Sequence, residues 1–253
     1  MRNPRLKSTV VKVAVETFCK ASRLYDESMV DVEREGPVAR IFLNRPEKAN
    51  ALTSGVLQEL ARSLESLAAD QFLRVVVLAG RGRTFCGGAD TQELKSLDAA
   101  TAGPFVEKIH NVCKAIRGLP VPVVARLHGA VIGAGLEIAA ACDLRVAAEG
   151  TKFAMPEVRI GIPSVVEAAL LPRLMGSGRA AWLVLTGEAI DARRALEWGL
   201  IEEIGDGEQL LQRLLAGDRE ALRLQKQLLH LWEEASLATS VAASIERFAQ
   251  IHR

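Results

Sequence analysis

The order of hydrophobic and polar residues beyond Met29 alternates between the periods of strands and helices. Residues 38–43 alternate and are rich in β-formers, which predicts a strand. Residues 54–69 predict a helix, because five apolar residues fall on one stripe with charge opposite: Leu57, Leu60, Leu64, Leu67 and Ala68. The apolar run 75–78 then predicts a short buried strand that ends at Gly80.

The same alternation continues toward the C-terminus. Asp90 and Glu93 have the D-x-x-E spacing of a helix start. Further elements are predicted in this order: a helix at about 109–116, a strand at 121–127, a helix at about 134–142 and a strand at 144–147. From Ser164 onward the pattern is mostly helical, and Asp191 caps a short helix that ends at Gly199. Strand–helix alternation followed by helices predicts an α/β core with a helical C-terminal region.

The composition is that of a folded globular chain. Of its 253 residues, 49% are hydrophobic and 25% are charged, which is enough to bury a sizeable core. No uncharged apolar run approaches the roughly 18 residues that a membrane span needs. We therefore expect a soluble protein with no membrane partner.

Charge is distributed unevenly along the chain. The formal net charge is +1, yet residues 1–25 contain six basic residues and one acidic residue, so that the rest of the chain carries −4. An acidic body gives no reason to expect nucleic acid as a partner. The basic leader has two interpretations, a poorly ordered extension over residues 1–28 or a mitochondrial transit peptide. The expected location is the cytoplasm in the first case and the mitochondrial matrix in the second.

Several common site motifs are absent from the sequence. The four cysteines are widely spaced with no C-x-x-C pair, which argues against disulfides and zinc ribbons and for a reducing compartment. The four histidines lack metal-ligand spacing, so no metal site is predicted. Gly133 and Gly135 follow a strand, but Ile138 stands where a dinucleotide-binding motif needs a small residue. No cofactor is expected.

Two glycine-rich turns each precede a helix, at residues 86–90 (CGGAD) and 132–137 (IGAGLE). Backbone N–H groups at such turns are unpaired and carry the positive end of the helix dipole. Two of them directed at one point would stabilise an oxygen that gains negative charge. Two carboxylates follow, Glu137 in the first turn of the second helix and Glu157 in the loop 153–158. Each feature alone also has an ordinary explanation, since glycines form turns and exposed carboxylates are common.

Taken together, these features resemble the crotonase family, also called the enoyl-CoA hydratase/isomerase family. The resemblance runs from about Val32 to about Phe248. Five ordered segments carry it: 44–52 (NRPEKANAL), 82–90 (GRTFCGGAD), 129–143, 156–163 (PEVRIGIP) and 185–201, which begins LTGE and ends WGLI.

The resemblance implies a crotonase-like spiral of ββα units over residues 29–203 and a shortened helical region over 204–253, with assembly into a homotrimer or hexamer. It implies an acyl-CoA thioester as the substrate, so that coenzyme A is part of the substrate and not a cofactor. An enolate-like oxyanion would be held by the N–H groups of Ala89 and Ala134. Further residues are implied to line the CoA and thioester path: Lys48, Ala49, Ala51, Gly87, Gly88, Asp90, Thr91 and Gly133.

Hydratases of the family carry two glutamates, which correspond here to Glu137 and Glu157. Adding water across a double bond needs a base to activate water at Cβ and an acid to protonate Cα. We assign Glu137 to water activation and Glu157 to proton transfer at Cα. Because a positional isomerase needs only one glutamate, the presence of both favours an enoyl-CoA hydratase. The alternatives are an isomerase, a decarboxylase or a thioester hydrolase, and a non-catalytic acyl-CoA-binding or RNA-binding relative.

The chain departs from the family pattern near the predicted site. Gln92 stands where many relatives have Lys, and Ala134 where most have Gly. Pro163 leads into Ser164-Val-Val-Glu167 in place of a glycine-rich stretch. We expect the branched side chains to narrow the acyl pocket and change the acyl preference. Glu167 is either a third carboxylate near the site or a charge at a helix start.

Overall fold

The computed structural model describes residues 28–252. The extension expected over residues 1–28 therefore lies outside the described residues, apart from Ser28. The hydroxyl of Ser28 donates to the carbonyl of Val30 at 2.8 Å, directly before the first strand. The division of the chain at residues 203 and 204 stays a prediction.

A six-stranded sheet forms the framework, in the order β1-β2-β3-β4-β6-β9. Its strands are β1 (Val30–Glu35), β2 (Val38–Leu43), β3 (Val75–Gly80), β4 (Val123–Leu127), β6 (Leu144–Ala147) and β9 (Glu203–Ile204). The first two strands form an antiparallel hairpin, and the later neighbours pair in parallel. The strands predicted from the hydrophobic pattern are confirmed, although β4 begins two residues later than predicted, just after Pro122.

A smaller sheet carries the segments of interest for function. It contains β5 (Ala130–Ile132), β7 (Lys152–Ala154) and β8 (Ile190–Asp191). Strands β5 and β7 are parallel, so their carboxyl ends lie at the same edge. The chain that leaves these two strands leads to Glu137 and Glu157, respectively.

The helices cover both faces of the large sheet. In chain order they are α1 (Ser54–Ala68), α2 (Thr91–Ser96), α3 (Ala102–Gly118), α4 (Ala134–Ala141), α5 (Leu171–Met175), α6 (Ser177–Thr186), α7 (Ala192–Trp198), α8 (Glu208–Ala216), α9 (Arg219–Glu234) and α10 (Leu237–Ile251). The apolar stripe of α1 is buried as predicted, and its N-terminus is capped by Thr53, whose side chain accepts from the N–H of Val56. The helix predicted at about 109–116 is longer, because α3 begins at Ala102.

Three short 3-10 helices interrupt the loops, at Pro46–Lys48, Glu157–Ile160 and Val166–Leu170. The prediction that Glu157 lies in a loop is therefore wrong, because the chain after Pro156 forms one of these turns. Proline has its backbone angle φ already fixed near the helical value, which suits the start of such a turn.

The C-terminal helices are attached to the core by a buried lysine. The ammonium group of Lys226 on α9 donates to the carbonyls of Ile116 and Val121, each at 3.0 Å, and lies 2.8 Å from a carboxylate oxygen of Asp143. Burial of this charge is compensated by the three oxygens. The α/β core and the helical C-terminal region are thus both as predicted.

Candidate active site

The two glycine-rich turns meet through backbone hydrogen bonds. The N–H of Cys86 donates to the carbonyl of Ala130 at 3.1 Å, and the N–H of Ile132 donates to the carbonyl of Cys86 at 3.0 Å. On the other side of the same turn, the N–H of Leu52 donates to the carbonyl of Gly88 at 2.8 Å. The turn 86–90 is therefore held between β5 and the segment that precedes α1.

This contact places two N–H groups without acceptors at neighbouring turns. Within residues 28–252, the N–H groups of Ala89 and Ala134 donate to no backbone or side-chain acceptor. Ala134 is the first residue of α4, so its N–H also lies at the positive end of a helix. Gly88 permits the close approach, because a β-carbon there would lie 3.0 Å from the carbonyl oxygen of Ile132. The arrangement suits an oxygen that gains negative charge.

The residues implied to line the CoA path occupy one surface next to these turns. Lys48 and Ala49 are exposed at the end of a 3-10 helix, and the N–H of Gly87 donates to the carbonyl of Ala49 at 2.8 Å. Ala51 is half-buried beside them, and Thr91 is exposed as the first residue of α2. The structure thus brings the segments 48–51 and 87–91 together.

Asp90 caps α2 as predicted, but Glu93 behaves differently. The Asp90 side chain accepts from the N–H groups of Gln92 and Glu93. Burial raises its pKa, but these two donors and the guanidinium of Arg45 outweigh burial, so the pKa of Asp90 is lowered. Glu93 does not turn back to the N–H of Asp90. Its carboxylate instead accepts from the N–H of Ser54 at 2.9 Å and so connects α2 to α1.

Asn50 is a buried residue of this region that the sequence analysis did not single out. Its side-chain oxygen accepts from the N–H of Arg45 at 2.8 Å, and its amide donates to the carbonyls of Arg81 and Thr84 at 2.9 and 2.7 Å. Its backbone is left-handed, with φ of +54°. Asn tolerates that conformation better than most residues, which is the signal that the sequence offered. Asn50 fixes the CoA-side loop to the turn before Cys86.

The two glutamates come from the carboxyl ends of β5 and β7 and lie close together. Glu137 is 3% exposed in the first turn of α4. Glu157 is half-buried, accepts from the hydroxyl of Ser164 at 3.0 Å, and has its other oxygen against Gly133, the residue before α4. Position 133 therefore requires glycine, because its φ is +52° and there is no space for a β-carbon.

Burial is the main reason why the pKa of Glu137 is raised to about 8. The charges of Glu157 and Glu167 raise it further, whereas the backbone N–H groups of Val165 and Ala168 partly offset these effects. A buried carboxyl with other carboxylates nearby resists ionisation. Glu137 therefore loses its proton less readily than an ordinary glutamate.

Glu167 is a third carboxylate of this cluster. It is 8% exposed in the 3-10 helix Val166–Leu170 and lies 2.8 Å from Nδ1 of His110 on α3. The sequence offered two interpretations of Glu167, a third carboxylate near the site or a charge at a helix start. Both hold in part, because Glu167 lies at a helix start and is nevertheless buried near Glu137.

Two kinds of feature, a metal-binding cluster and a membrane-spanning helix, are absent from residues 28–252. No group of three or more His, Cys, Asp or Glu side chains in residues 28–252 is arranged to hold a metal ion. None of the helices in that range combines the length and the apolar character needed to cross a bilayer.

Comparison with known proteins agrees with this geometry. The family model described as enoyl-CoA hydratase/isomerase matches residues 33–250. The chain belongs to the enoyl-CoA hydratase/isomerase family. Among relatives, the short-chain-enoyl-CoA hydratase of Clostridium acetobutylicum is 31% identical over 230 residues, covering 87% of this chain and 88% of that protein. The mitochondrial methylglutaconyl-CoA hydratase of Mus musculus is 32% identical over 234 residues, covering 87% and 74%.

Solved structures of the family have the same fold. The enoyl-CoA hydratase from Thermoplasma volcanium superposes with a TM-score of 0.86 at 32% identity, covering 90% of this chain and 94% of that one. The membership and the crotonase-like fold expected from the sequence motifs are thus confirmed.

Proposed function

We propose that this protein adds water reversibly to the double bond of a 2-enoyl-CoA thioester. The observation that carries the proposal is the pair Glu137 and Glu157, placed beside the unpaired N–H groups of Ala89 and Ala134. Hydration needs an acid, a base and an oxyanion site together, and the cluster supplies all three. The hydratases among the relatives of this chain support the same activity.

In the hydration direction, the oxygen of water bonds to Cβ and Glu137 takes one proton of that water. The electron pair of the double bond moves through Cα to the thioester oxygen, where the N–H groups of Ala89 and Ala134 stabilise the enolate. The carboxyl of Glu157 then gives its proton to Cα as the enolate returns to the thioester. Transfer of the proton from Glu137 to Glu157 restores the starting state.

This division of roles is the one expected from the sequence. The raised pKa of Glu137 supports it as the base, because a carboxylate with a raised pKa binds a proton more strongly. Glu157 lies against Gly133 of the oxyanion turn and accepts from the hydroxyl of Ser164, which supports a role for its carboxyl beside the proposed enolate. One carboxyl receives a proton and the other donates one, so both are needed in each direction.

The test is a panel of enoyl- and acyl-CoA thioesters incubated in deuterated water, with the products analysed by mass spectrometry. We expect water uptake with one deuterium bound at Cα. Exchange of deuterium without water uptake would identify an isomerase instead, and binding without any turnover would contradict an enzymatic role. Glu137→Gln and Glu157→Gln should each reduce hydration by about 10²–10⁴-fold, whereas a one-base isomerase would tolerate one of them.

The CoA moiety is proposed to lie along the surface formed by segments 48–51 and 87–91. Lys48 is an exposed basic residue there, and Gln92 replaces a further possible phosphate contact. With a formal net charge of +1, the chain has no broad positive field, so the CoA phosphates depend on such local groups. Coenzyme A enters as part of the substrate, and no separate cofactor is proposed.

We propose a homotrimer, or a hexamer of paired trimers, as the assembly. Helix α10 supports this proposal, because a row of large apolar side chains along it is exposed: Leu237, Val241, Ile245, Phe248 and Ile251. An exposed apolar row of this length is typical of an interface.

The compartment is proposed to be the cytoplasm, or the mitochondrial matrix if the basic leader is a transit peptide. The free, buried thiols of Cys86, Cys113 and Cys142 support a reducing compartment.

A further inference from the structure

The two carboxyl oxygens of Glu157 have different neighbours. Oε2 accepts a hydrogen bond from the hydroxyl of Ser164 at 3.0 Å. Oε1 lies against the backbone of Gly133, where it leaves no space for a β-carbon. The carboxyl is therefore oriented from two sides, with one oxygen at the oxyanion turn and the other held by the serine hydroxyl.

Ser164 belongs to a segment that folds back onto Glu157. The N–H of Ile162 donates to the backbone carbonyl of Glu157 at 3.2 Å, which closes the turn between these two residues. Pro163 follows, and its ring fixes the backbone angle φ directly before Ser164. The hydroxyl is thus returned to the side chain of the residue that begins the turn.

The chain that follows Ser164 is also held in place. Val166 has a φ of +39°, a left-handed conformation that is strained for a β-branched residue. The N–H of Ala168 donates to the carbonyl of Val165 at 2.9 Å, and the 3-10 helix Val166–Leu170 packs against α4. Such strain persists only where the surrounding structure enforces it. The backbone that presents the Ser164 hydroxyl is therefore restrained on both sides.

A restrained carboxyl and a freely rotating one favour different reactions. In the proposed hydration, Glu157 gives a proton to Cα alone. In double-bond isomerisation of a 3-enoyl thioester, one carboxyl takes a proton from Cα and returns it to Cγ, while the double bond moves from Cβ–Cγ to Cα–Cβ. That carboxyl must reach two carbon atoms in succession. Restraint on its rotation therefore disfavours the second transfer.

We propose that Ser164 is a positioning residue that confines Glu157 to Cα and so favours hydration over double-bond isomerisation. This inference rests on the proposed function. Ser164 stands in the segment where this chain departs from the glycine-rich pattern of the family, so the hydroxyl is a feature of this chain. It lies outside the segments 48–51 and 87–91 proposed to bind CoA. Its loss should therefore change the chemical step and leave KM nearly unchanged.

The first test observes the contact without substrate. The side-chain carboxyl of Glu157 is followed by NMR in protein isotope-labelled at glutamate, and its resonance is assigned by its loss in Glu157→Gln. Ser164→Ala removes the hydroxyl and should shift this resonance, whereas Ser164→Thr keeps a hydroxyl and should stay close to the wild type. The control is Ser66→Ala, which removes an exposed hydroxyl bonded to the carbonyl of Ser63 within α1. An unchanged resonance in Ser164→Ala would overturn the proposal.

The second test measures where the proton is delivered. A 2-enoyl-CoA with hydrogens on Cγ is incubated in deuterated water, and mass spectrometry gives the label at Cγ relative to Cα. We expect this ratio to rise by about 3–10-fold in Ser164→Ala, the effect of one hydrogen bond, and to return toward the wild-type value in Ser164→Thr. Ser66→Ala should equal the wild type. Equal ratios in Ser164→Ala and the wild type would contradict the restraint.

The labelling experiment also separates this inference from the hydratase proposal. If the wild type exchanged deuterium without adding water and Ser164→Ala still raised the ratio, the restraint would be supported and only the assigned reaction contradicted. If the wild type added water and Ser164→Ala left the ratio unchanged, the hydratase proposal would stand and the role of Ser164 would be overturned.

Discussion

A carboxylate oxygen of Glu157 lies directly against the α-carbon of Gly133. A β-carbon built at Gly133 would stand 2.3 Å from that oxygen, well inside van der Waals contact. The same glycine has a φ of +52° and precedes the first residue of α4. Glu157 and the oxyanion turn thus occupy adjoining positions, and neither can move far without displacing the other.

Gly133→Ala is expected to displace the carboxyl of Glu157 and reduce kcat/KM for hydration by about 10²-fold, the effect of moving a reacting group by roughly 1 Å. The measurement is steady-state hydration of a short enoyl-CoA. Gly150→Ala is the matched control, because Gly150 has a φ of +88° but no atom within 4 Å of an added β-carbon. A similar loss in both variants would attribute the effect to backbone strain and contradict the contact with Glu157.

Ala134→Pro should remove one oxyanion donor and little else. Proline is tolerated at the first position of a helix, where its missing N–H has no helical partner, and Ala134 occupies that position in α4. We expect kcat to fall by about 10²–10³-fold while the far-ultraviolet circular dichroism is retained. Ala134→Gly keeps the N–H and should remain active. Full activity in Ala134→Pro would show that the second donor lies elsewhere.

The stability of the protein should depend on pH through Glu137. Its pKa of about 8 in the folded state exceeds the ordinary value of 4.5. Its contribution to the free energy of unfolding is therefore fully present below pH 4.5 and is lost as the pH rises to 8. Glu137→Gln should therefore gain stability relative to the wild type over this window, by at most about 5 kcal/mol. Urea unfolding at fixed protein concentration measures the difference. The control is Glu188→Gln, which changes an exposed carboxylate and should not change the pH dependence of the free energy of unfolding. If the difference in free energy between Glu137→Gln and the wild type did not vary with pH, the raised pKa would be contradicted.

Phe248→Glu tests the role of the apolar row on α10. Phe248 is 68% exposed, and a carboxylate there would be buried without a partner in a trimer interface, which is strongly unfavourable. We expect the assembly to dissociate toward monomers in light scattering coupled to size-exclusion chromatography. Ala242→Glu places the same charge on an exposed position of the helix outside the row and should leave the assembly intact. Dissociation by both variants to the same extent would contradict the assigned interface.

The sequence predicted the framework well because its elements have regular hydrophobic periods. The buried strand β3 and the amphipathic helix α1 follow directly from such periods. The pairing of the turns at Gly88 and Gly133 was implied only by the family resemblance, since it depends on contacts between segments distant along the chain.

Other details of the site could not be predicted because they depend on three-dimensional surroundings. The raised pKa of Glu137 depends on burial and on two carboxylates from later segments, none of which affects local periodicity. The contact between His110 and Glu167 joins a helix to a short turn, and neither residue belongs to a recognisable motif. The contacts of Asn50 were not predictable for a similar reason. Its side chain donates to the backbone carbonyls of Arg81 and Thr84, and a residue of any type could supply such a carbonyl.

The parallel bridge between Cys86 and Val131 has a consequence for how this protein can diversify. Because the bridge lies in the buried core, the turn 86–90, which presents the N–H of Ala89, is held by hydrogen bonds to residues 130 and 132 and not to the segment around residues 163–168. Substitutions in that segment are therefore expected to alter proton transfer or the accepted acyl group while the donor at Ala89 is retained. A change of substrate and the conservation of the fold therefore depend on different segments of the chain.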